Sequence, residues 1–390
     1  MEELPDYFAD DAAIDLIAEL VELIKDQPEL QVIARLRKTH NPELVRFLVT
    51  QAKLRLRSVA KIGSDASGML FTEVGLEQAT RAPIAKWHAK LLVQQGFKSV
   101  TDLGCGIGLD SKAFAMEGLR VLAIDNNPSA VLAAKHNLKK FPLAKVDFAD
   151  AESLMLSTDA AYLDPARRDQ DRKGLKTQRL EPQDFSPSLD FAFQVAKQLP
   201  ALIKLSPSFP HELIPSDFEA NWVSNQGDLV ELLLKSGSLA EAGKRSAVIV
   251  GDEILEFQGD QIQGQVVPLA KYIFEPDNAL VRSHLVGDFA RNNKLGLISE
   301  GIAYLTSNTD LASPWLKRYR VIELLPLKEK EIRNYCQRHG IGILEIKKRG
   351  VDITAEELRP KLKLKGTSAA TLVLTKVGGA RQAIVCEPIR

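Results

Sequence analysis

Residues 100–110 read V-T-D-L-G-C-G-I-G-L-D. The pattern is that of a buried β-strand running straight into a glycine-rich turn. Asp102 lies two places before the first of three alternating glycines, Gly104, Gly106 and Gly108. Each glycine lacks a Cβ, so the spacing predicts a tight turn whose backbone N–H groups face a ligand. Ser111–Gly118 then predicts a helix, and Leu119–Ile124 a second strand ending in Asp125. Strand, turn, helix, strand and acid, in that order, make the unit that holds an adenosine ribose.

Spacing separates the two cofactor classes that use such a unit. A dinucleotide fold places a third glycine where this chain has Leu109. The G-x-G-x-G pattern with a preceding acid resembles motif I of class I S-adenosylmethionine-dependent methyltransferases. That resemblance implies that Asp102 lies near the methionine end of the cofactor and that Asp125 binds the ribose hydroxyls. A carboxylate suits both tasks, because it accepts from an ammonium group or from two vicinal hydroxyls. Gly104, Cys105, Gly106, Gly108 and Asn126 fall in the same cofactor set. A third strand, Ala144–Phe148, ends at A-D-A-E. There the resemblance implies that Asp150 accepts from the adenine amino group and that the Ala151 N–H meets a ring nitrogen.

The fourth strand, Ala160–Leu163, delivers D-P-A-R-R at Asp164–Arg168. By strand order this is the catalytic position, at the carboxyl ends of the strands. Amino-methyltransferases carry D/N-P-P-aromatic there. The implied catalytic set is Asp164, Pro165, Arg167 and Arg168. The Asp164 carboxylate and the Pro165 carbonyl would accept from the target NH₂ and aim its lone pair at the sulfonium carbon. Ala166, Arg167 and Arg168 depart from the family pattern, so base stacking must come from elsewhere or from the arginine planes. The same arginines suit a phosphate or carboxylate, or an ion pair with Asp169 and Asp171. No metal is expected, since a sulfonium leaving group needs none.

Working outward, the first sixty residues read as three helices. Asp10 and Asp11 cap the first, the second spans Leu30–Arg37, and the third spans Pro42–Lys61. The third carries Arg46, Lys53, Arg55 and Arg57, which face either phosphate or solvent. After a G-S-D-A-S-G loop, Thr72, Gln78 and Thr80 are candidate contacts in a segment that closes over the cofactor in several methyltransferases. Asp169–Pro187 reads as a polar substrate-side flap. Ala201–Leu205 is the fifth strand, with Lys204 at the same sheet edge. Strands at Ala220–Val223 and Ser246–Val250, with Leu229–Lys235 as a segment between them, complete a count of seven.

The chain has 390 residues, 51 Lys and Arg against 51 Asp and Glu, and only three cysteines. Zero net charge gives no global attraction to a polyanion. The three cysteines are too few and scattered for a disulfide framework or a zinc site. An acidic start without an apolar run predicts no signal peptide, and no stretch has the apolar length of a membrane span. The expected location is cytoplasmic; the oligomeric state is left open.

The tail is less even. From Arg318 to Arg390 there are 16 Lys and Arg against 8 Asp and Glu. E-P-D-N-A-L-V-R, Y-L-T-S and K-K-R-G-V-D-I-T-A-E-E-L-R-P-K-L together resemble bacterial methyltransferases with a small ferredoxin-like piece and a C-terminal THUMP-like domain. THUMP domains proper bind RNA, so the resemblance implies an RNA substrate. The cluster Lys347, Lys348, Arg349, Arg359, Lys361, Lys363 and Lys365 is what such binding needs. The expected fold is α/β: a helical region over 1–68, a Rossmann-like seven-stranded domain over 69–253, a connector with the ferredoxin-like piece over 254–316, and the THUMP-like domain over 317–390. The expected reaction is methyl transfer to a nucleobase amino group in tRNA or rRNA. A methyltransferase for a small molecule or protein, and a non-catalytic cofactor-binding recognition protein, are the two rivals.

Overall fold

A computed structural model describes residues 11–167 and 185–389. The chain forms two compact units, one comprising Met1–Ala220, Glu231–Gly243 and Val250–Glu253, the other Asn221–Val230, Lys244–Ile249 and Ile254–Arg390.

The first unit begins with α1 (Asp11–Asp26), α2 (Glu29–Leu36) and α3 (Pro42–Ile62). Helix α3 starts where it does because Asn41 accepts from the Leu44 N–H at 2.8 Å and Pro42 fits the first turn. Ile17, Leu20, Leu48 and Leu54 from these helices share one apolar core with Leu70, Phe71 and Ile107. The helical region is therefore packed onto the glycine turn itself.

Arg55 departs from both readings of the α3 cations, whereas Lys53 and Arg57 face solvent in exposed ion pairs. Arg55 is 2% exposed and donates from Nε to the Met69 carbonyl at 2.9 Å; burial lowers its pKa to about 10. Lys53 pairs with Glu29, and Arg57 with Glu73. Arg46 alone of the four is exposed without such a role.

Residues 69–71 form no helix or strand, and side chains hold their backbone in place of a ladder. Gln51 of α3 donates to the Phe71 carbonyl (2.7 Å) and accepts from the Phe71 N–H (3.0 Å). Asn137, on a later helix, accepts from the Leu70 N–H (2.8 Å) and donates to the Leu70 and Ile107 carbonyls. Both amides are buried, where an unpaired backbone group is costly. The clamp fixes the start of the next segment, α4 (Glu73–Gln78), ahead of α5 (Ala82–Gln94).

The sheet of this unit contains β1 (Ser99–Leu103), β2 (Arg120–Asp125), β3 (Ala144–Phe148), β4 (Ala160–Leu163) and β5 (Ala201–Leu205), parallel in the order β3-β2-β1-β4-β5. All residues of β1 and β4 are buried, as expected of inner strands covered on both faces. Helices α6 (Leu109–Met116), α7 (Pro128–Leu138) and α8 (Leu189–Gln198) make the crossovers.

The seven-strand count needs one correction. After β6 (Glu219–Asn225), the stretch Asp228–Lys235 is itself a strand, β7, and lies antiparallel to β5 with Leu202 opposite Lys235 and Leu205 opposite Leu232. Leu232, Leu233 and Leu234 are all fully buried, so this apolar run takes the inner place. Ser246–Val250 falls in an additional strand, β8 (Arg245–Val250), followed by β9 (Ile254–Gln258).

In the second unit, β10 (Tyr272–Pro276), β11 (Gly296–Leu297), β12 (Leu305–Ser307), β13 (Leu316–Pro326), β14 (Ile341–Lys348), β15 (Ser368–Val377) and β16 (Ala380–Ile389) form one sheet in the order β11-β12-β10-β13-β16-β15-β14. The segments read apart as 254–316 and 317–390 thus share strands of a single sheet. Two short helices, α9 (Asn278–Arg282) and α10 (Val286–Asn292), follow β10. Helices α11 (Glu329–Arg338) and α12 (Ala355–Leu362) pack Ile332, Tyr335, Leu358 and Leu362 against Leu344, Leu372 and Val385.

The sequence motifs of this unit have internal tasks. Glu275 accepts from Lys347 (2.8 Å) and from the Tyr319 hydroxyl (3.2 Å), which ties β10, β13 and β14 together. Arg349 donates to the Ala303 carbonyl (2.6 Å) with its guanidinium over the Tyr304 ring. Arg359 donates to the Leu344 carbonyl (2.6 Å), and Thr354 and Glu357 form a capping box. Lys347, Arg349 and Arg359 of the expected RNA-binding cluster are therefore engaged within the fold, whereas Lys348, Lys361, Lys363 and Lys365 are exposed.

Candidate active site

A cavity of about 370 Å³ opens at the carboxyl ends of β1, β2 and β4. Its wall includes Asp102, Gly104, Cys105, Gly106, Asp125, Asn126, Asp150, Ala151 and Asp164. These nine residues span 63 positions of sequence, and the crossovers of a parallel sheet bring them to one edge. Thr72, Gln78 and Thr80 line the same cavity from the α4 segment. Ser186 and Pro187, the end of the expected flap, line it as well; most of that flap lies outside the described residues.

The glycine turn does not work as the sequence suggests. The Gly104 and Cys105 N–H groups both donate to the Ile124 carbonyl, the Gly106 N–H donates to Asp125 Oδ2 (2.8 Å), and the Gly108 N–H donates to the Cys105 carbonyl. These donors are spent within the fold, three on β2 and one on the turn itself. What the glycines supply is conformation: Gly104 and Gly106 have φ of 97° and 54°, where a side chain would be strained. Gly108 is not in the cavity wall; a Cβ there would press Leu138 and Ala134 at 3.2 and 3.3 Å, so its role is packing against α7.

Asp125 accepts from Gly106 and, through Oδ1, from the Asn127 N–H (2.8 Å). Burial raises its pKa against the backbone N–H groups of Asn127, Gly106 and Asn126, which lower it. Each oxygen keeps a second lone pair for a ligand hydroxyl. Asp150 is exposed at the start of a short turn, accepting from the Glu152 N–H (3.1 Å), and Ala151 is buried beside it.

Asp102 is 1% exposed. Its Oδ2 accepts from Ser111 at 2.5 Å, while its Oδ1 is buried with no hydrogen-bond partner among the described residues. Burial and the nearby Asp110 charge push its pKa well up. An acceptor of this kind, facing a cavity, fits a ligand that brings a positive charge. The residues present thus fit an adenosine with an amino-acid tail: a carboxylate for the ribose, one at the far end for an ammonium group.

Asp164 stands at the end of β4 with Oδ2 bound to Lys204 Nζ at 2.5 Å. Pro165 is buried behind it and is not in the cavity wall. The backbone of Arg167 pairs with Phe185, but its side chain, and all of Arg168, lie outside the described residues.

The site also contains a buried chain of charges, of which the sequence reading names Asp164, Lys204 and Thr80 but not Asp110, His88 or Glu231. Lys204 donates to Asp164, to the Thr80 hydroxyl (3.1 Å) and to the Gln78 carbonyl (3.4 Å). Thr80 donates to Asp110 Oδ2 (2.6 Å). Asp110 Oδ1 meets His88 Nδ1 (2.9 Å), and His88 Nε2 meets Glu231 Oε1 (2.7 Å). His88 is fully buried. Burial lowers its proton affinity, but Glu231 and Asp110 outweigh it and raise its pKa to about 9. With a carboxylate on each side, both ring nitrogens donate. The Asp164 carboxyl is raised by burial and drawn back by Lys204, whose own pKa the acids raise despite its burial. Asp110 lies inside the quoted stretch, yet its first-turn position on α6 is ordinary. His88 and Glu231 are 143 residues apart, and no local signal links them.

Comparison with known proteins follows the same division. Residues 101–164 match the family described as "Methyltransferase domain", residues 316–388 that described as "THUMP domain-like", and residues 10–58 a domain of unknown function. Relatives in Mycobacterium tuberculosis strains CDC 1551 and H37Rv, both described as uncharacterized S-adenosylmethionine-dependent methyltransferases, are 30% identical over 361 residues, covering 88% of this chain and 97% of theirs. A crystal structure from Porphyromonas gingivalis W83, provisionally described as a methyltransferase, superposes with a TM-score of 0.78 at 19% identity, over 98% of this chain and 99% of that one.

Proposed function

The chain belongs to the S-adenosylmethionine-dependent methyltransferases, and from that premise we propose that its acceptor is an exocyclic amino nitrogen of a nucleobase in RNA. Asp164 carries this reading. It lies in the cavity wall with one carboxylate oxygen fixed by Lys204, which leaves Oδ1 to accept a hydrogen bond from an incoming NH₂. An amine so held turns its lone pair away from the carboxylate.

The bound cofactor supplies a methyl group activated on a sulfonium. Asp102 would bind its ammonium end, Asp125 its ribose hydroxyls and Asp150 with Ala151 its adenine. The turn from Gly104 to Gly106, with Cys105 between, gives the backbone path, and Asn126 closes the rim beside Asp125. Lys204 holds Asp164 in place and opposes the rise in its pKa that burial causes. The ion pair suits an aromatic amine, which carries no proton to shed before attack, better than an alkylammonium, which must first lose one.

The THUMP-like segment and the exposed cations Lys348, Lys361, Lys363 and Lys365 support RNA as the acceptor class. The test is transfer of radiolabelled methyl to total RNA from a strain lacking the protein, with DNA, protein and small-molecule fractions beside it. Label confined to an RNA size class that Asp164→Ala abolishes is the expected result. Label only in a non-nucleic fraction overturns the RNA assignment, and full activity of Asp164→Ala overturns the role of the acid.

A further inference from the structure

Tyr162 is among the largest fully buried side chains, yet its hydroxyl has no hydrogen-bond partner among the described residues. Buried hydroxyls are nearly always paired, and leaving one unpaired costs about 1–3 kcal/mol. The group is not free to turn away. The ring packs edge-on to Phe114, with centroids 5.2 Å apart, and lies 5.4 Å from the His88 ring. It stands in the cavity wall on β4, in register with Asp102 on the adjacent parallel strand β1. Side chains at paired positions of neighbouring strands project from the same face. Two unpartnered buried polar atoms, the Tyr162 hydroxyl and Asp102 Oδ1, thus belong to one register pair at one cavity.

The charge of that wall limits what they receive. Among the described residues, the cavity is lined by five aspartates and by no Lys, Arg or His. Both oxygens of Asp110 are bound, to His88 and Thr80, and Oδ2 of Asp164 is bound to Lys204. A ligand carboxylate here would face carboxylates without a counter-charge. A ligand ammonium offers three N–H donors to acceptors that lack them.

We propose that Tyr162 is a further binding residue of this enzyme, its hydroxyl accepting, together with Asp102 Oδ1, from the α-ammonium group of the cofactor's methionine moiety. The inference concerns the cofactor and holds for any acceptor.

Titration calorimetry on the full chain tests it with three ligands. S-adenosylhomocysteine has both ammonium and carboxylate, decarboxylated S-adenosylmethionine keeps only the amine, and 5′-methylthioadenosine has neither. Tyr162→Phe removes one oxygen and keeps the ring packing. It should weaken the first two ligands by about tenfold or more and leave the third unchanged. Asp102→Asn should reproduce the pattern, which guards against a packing effect peculiar to one variant. Unchanged S-adenosylhomocysteine affinity in Tyr162→Phe overturns the proposal. So does an equal loss for 5′-methylthioadenosine, which would indicate a deformed cavity. A loss for S-adenosylhomocysteine alone, with the decarboxylated ligand unaffected, would assign the hydroxyl to the carboxylate instead and equally overturn it.

Discussion

Replacing His88 by glutamine should change stability in a way that depends on pH. The imidazole is fully buried between Asp110 and Glu231, and its pKa of about 9 in the fold compares with 6.5 for an ordinary histidine. A group whose pKa is raised by folding contributes its full stabilisation below the unfolded value. It loses that contribution as pH climbs through the folded one. The rise from 6.5 to about 9 corresponds to about 3 kcal/mol, each tenfold change in proton affinity being about 1.4 kcal/mol. For a unit of this size, about 3 kcal/mol is roughly 6–12 °C of melting temperature. Scanning calorimetry of the wild type and His88→Gln at about pH 6 and about pH 10 reads the difference. The variant should melt far below the wild type in acid, and the gap should narrow by roughly that amount in base, because only the wild type has a proton to lose there. A gap of the same size at both pH values would mean that the imidazole is neutral, and the ionic account of the network would fail.

Four other outcomes are expected. Asp125→Ala should weaken S-adenosylhomocysteine binding by about tenfold or more in calorimetry, because two ribose hydroxyls lose a charged acceptor. In Gly75→Ala the new Cβ would lie 2.4 Å from Ile107 Cγ2 and 2.5 Å from Thr72 Oγ1. Overpacking of this kind costs about 1–3 kcal/mol, so the melting temperature should fall and cofactor affinity should fall with it, since α4 lines the cavity. In the second unit, Lys347→Met should destabilise by about 1–3 kcal/mol through the stranded Glu275 carboxylate. The triple change of Lys361, Lys363 and Lys365 to glutamate should leave stability nearly unchanged and flatten the salt dependence of RNA binding in filter-binding titrations.

The parts of the site legible in the sequence are those written in short local patterns. Asp102, Asp125, Asp150 and Asp164 each lie within a few residues of the end of their own strand, so these acids, which the structure brings to one cavity wall, could be named before any coordinates. The ring of partners behind them could not. His88 reads as one polar residue in an amphipathic helix, Glu231 as one acid in an apolar strand, and only the sheet joins them. The N–H groups of the glycine turn were read as ligand donors because a turn pattern does not say where its own carbonyl acceptors lie; Ile124 is on another strand. Arg55 looked like a surface cation for a similar reason, since its acceptor is a main-chain carbonyl and leaves no mark in the sequence. The basic C-terminal motif mixed two populations, and only the structure separated the cations that brace the sheet from those left in solvent.

The clamp on residues 69–71 ties the helices before it to the segment that lines the cavity. Gln51 and Asn137 each satisfy both the N–H and the carbonyl of one residue, so two consecutive peptide units depend on helices on either side of them. The amide protons of Leu70 and Phe71 should therefore exchange with solvent only when that grip opens, and they form a built-in gauge of it. A chain cut after Ile62 would keep every motif of the catalytic fold and still lose the Gln51 half of the clamp that precedes the cavity-lining α4. The N-terminal helices and the methyltransferase fold are separable in sequence but share one core.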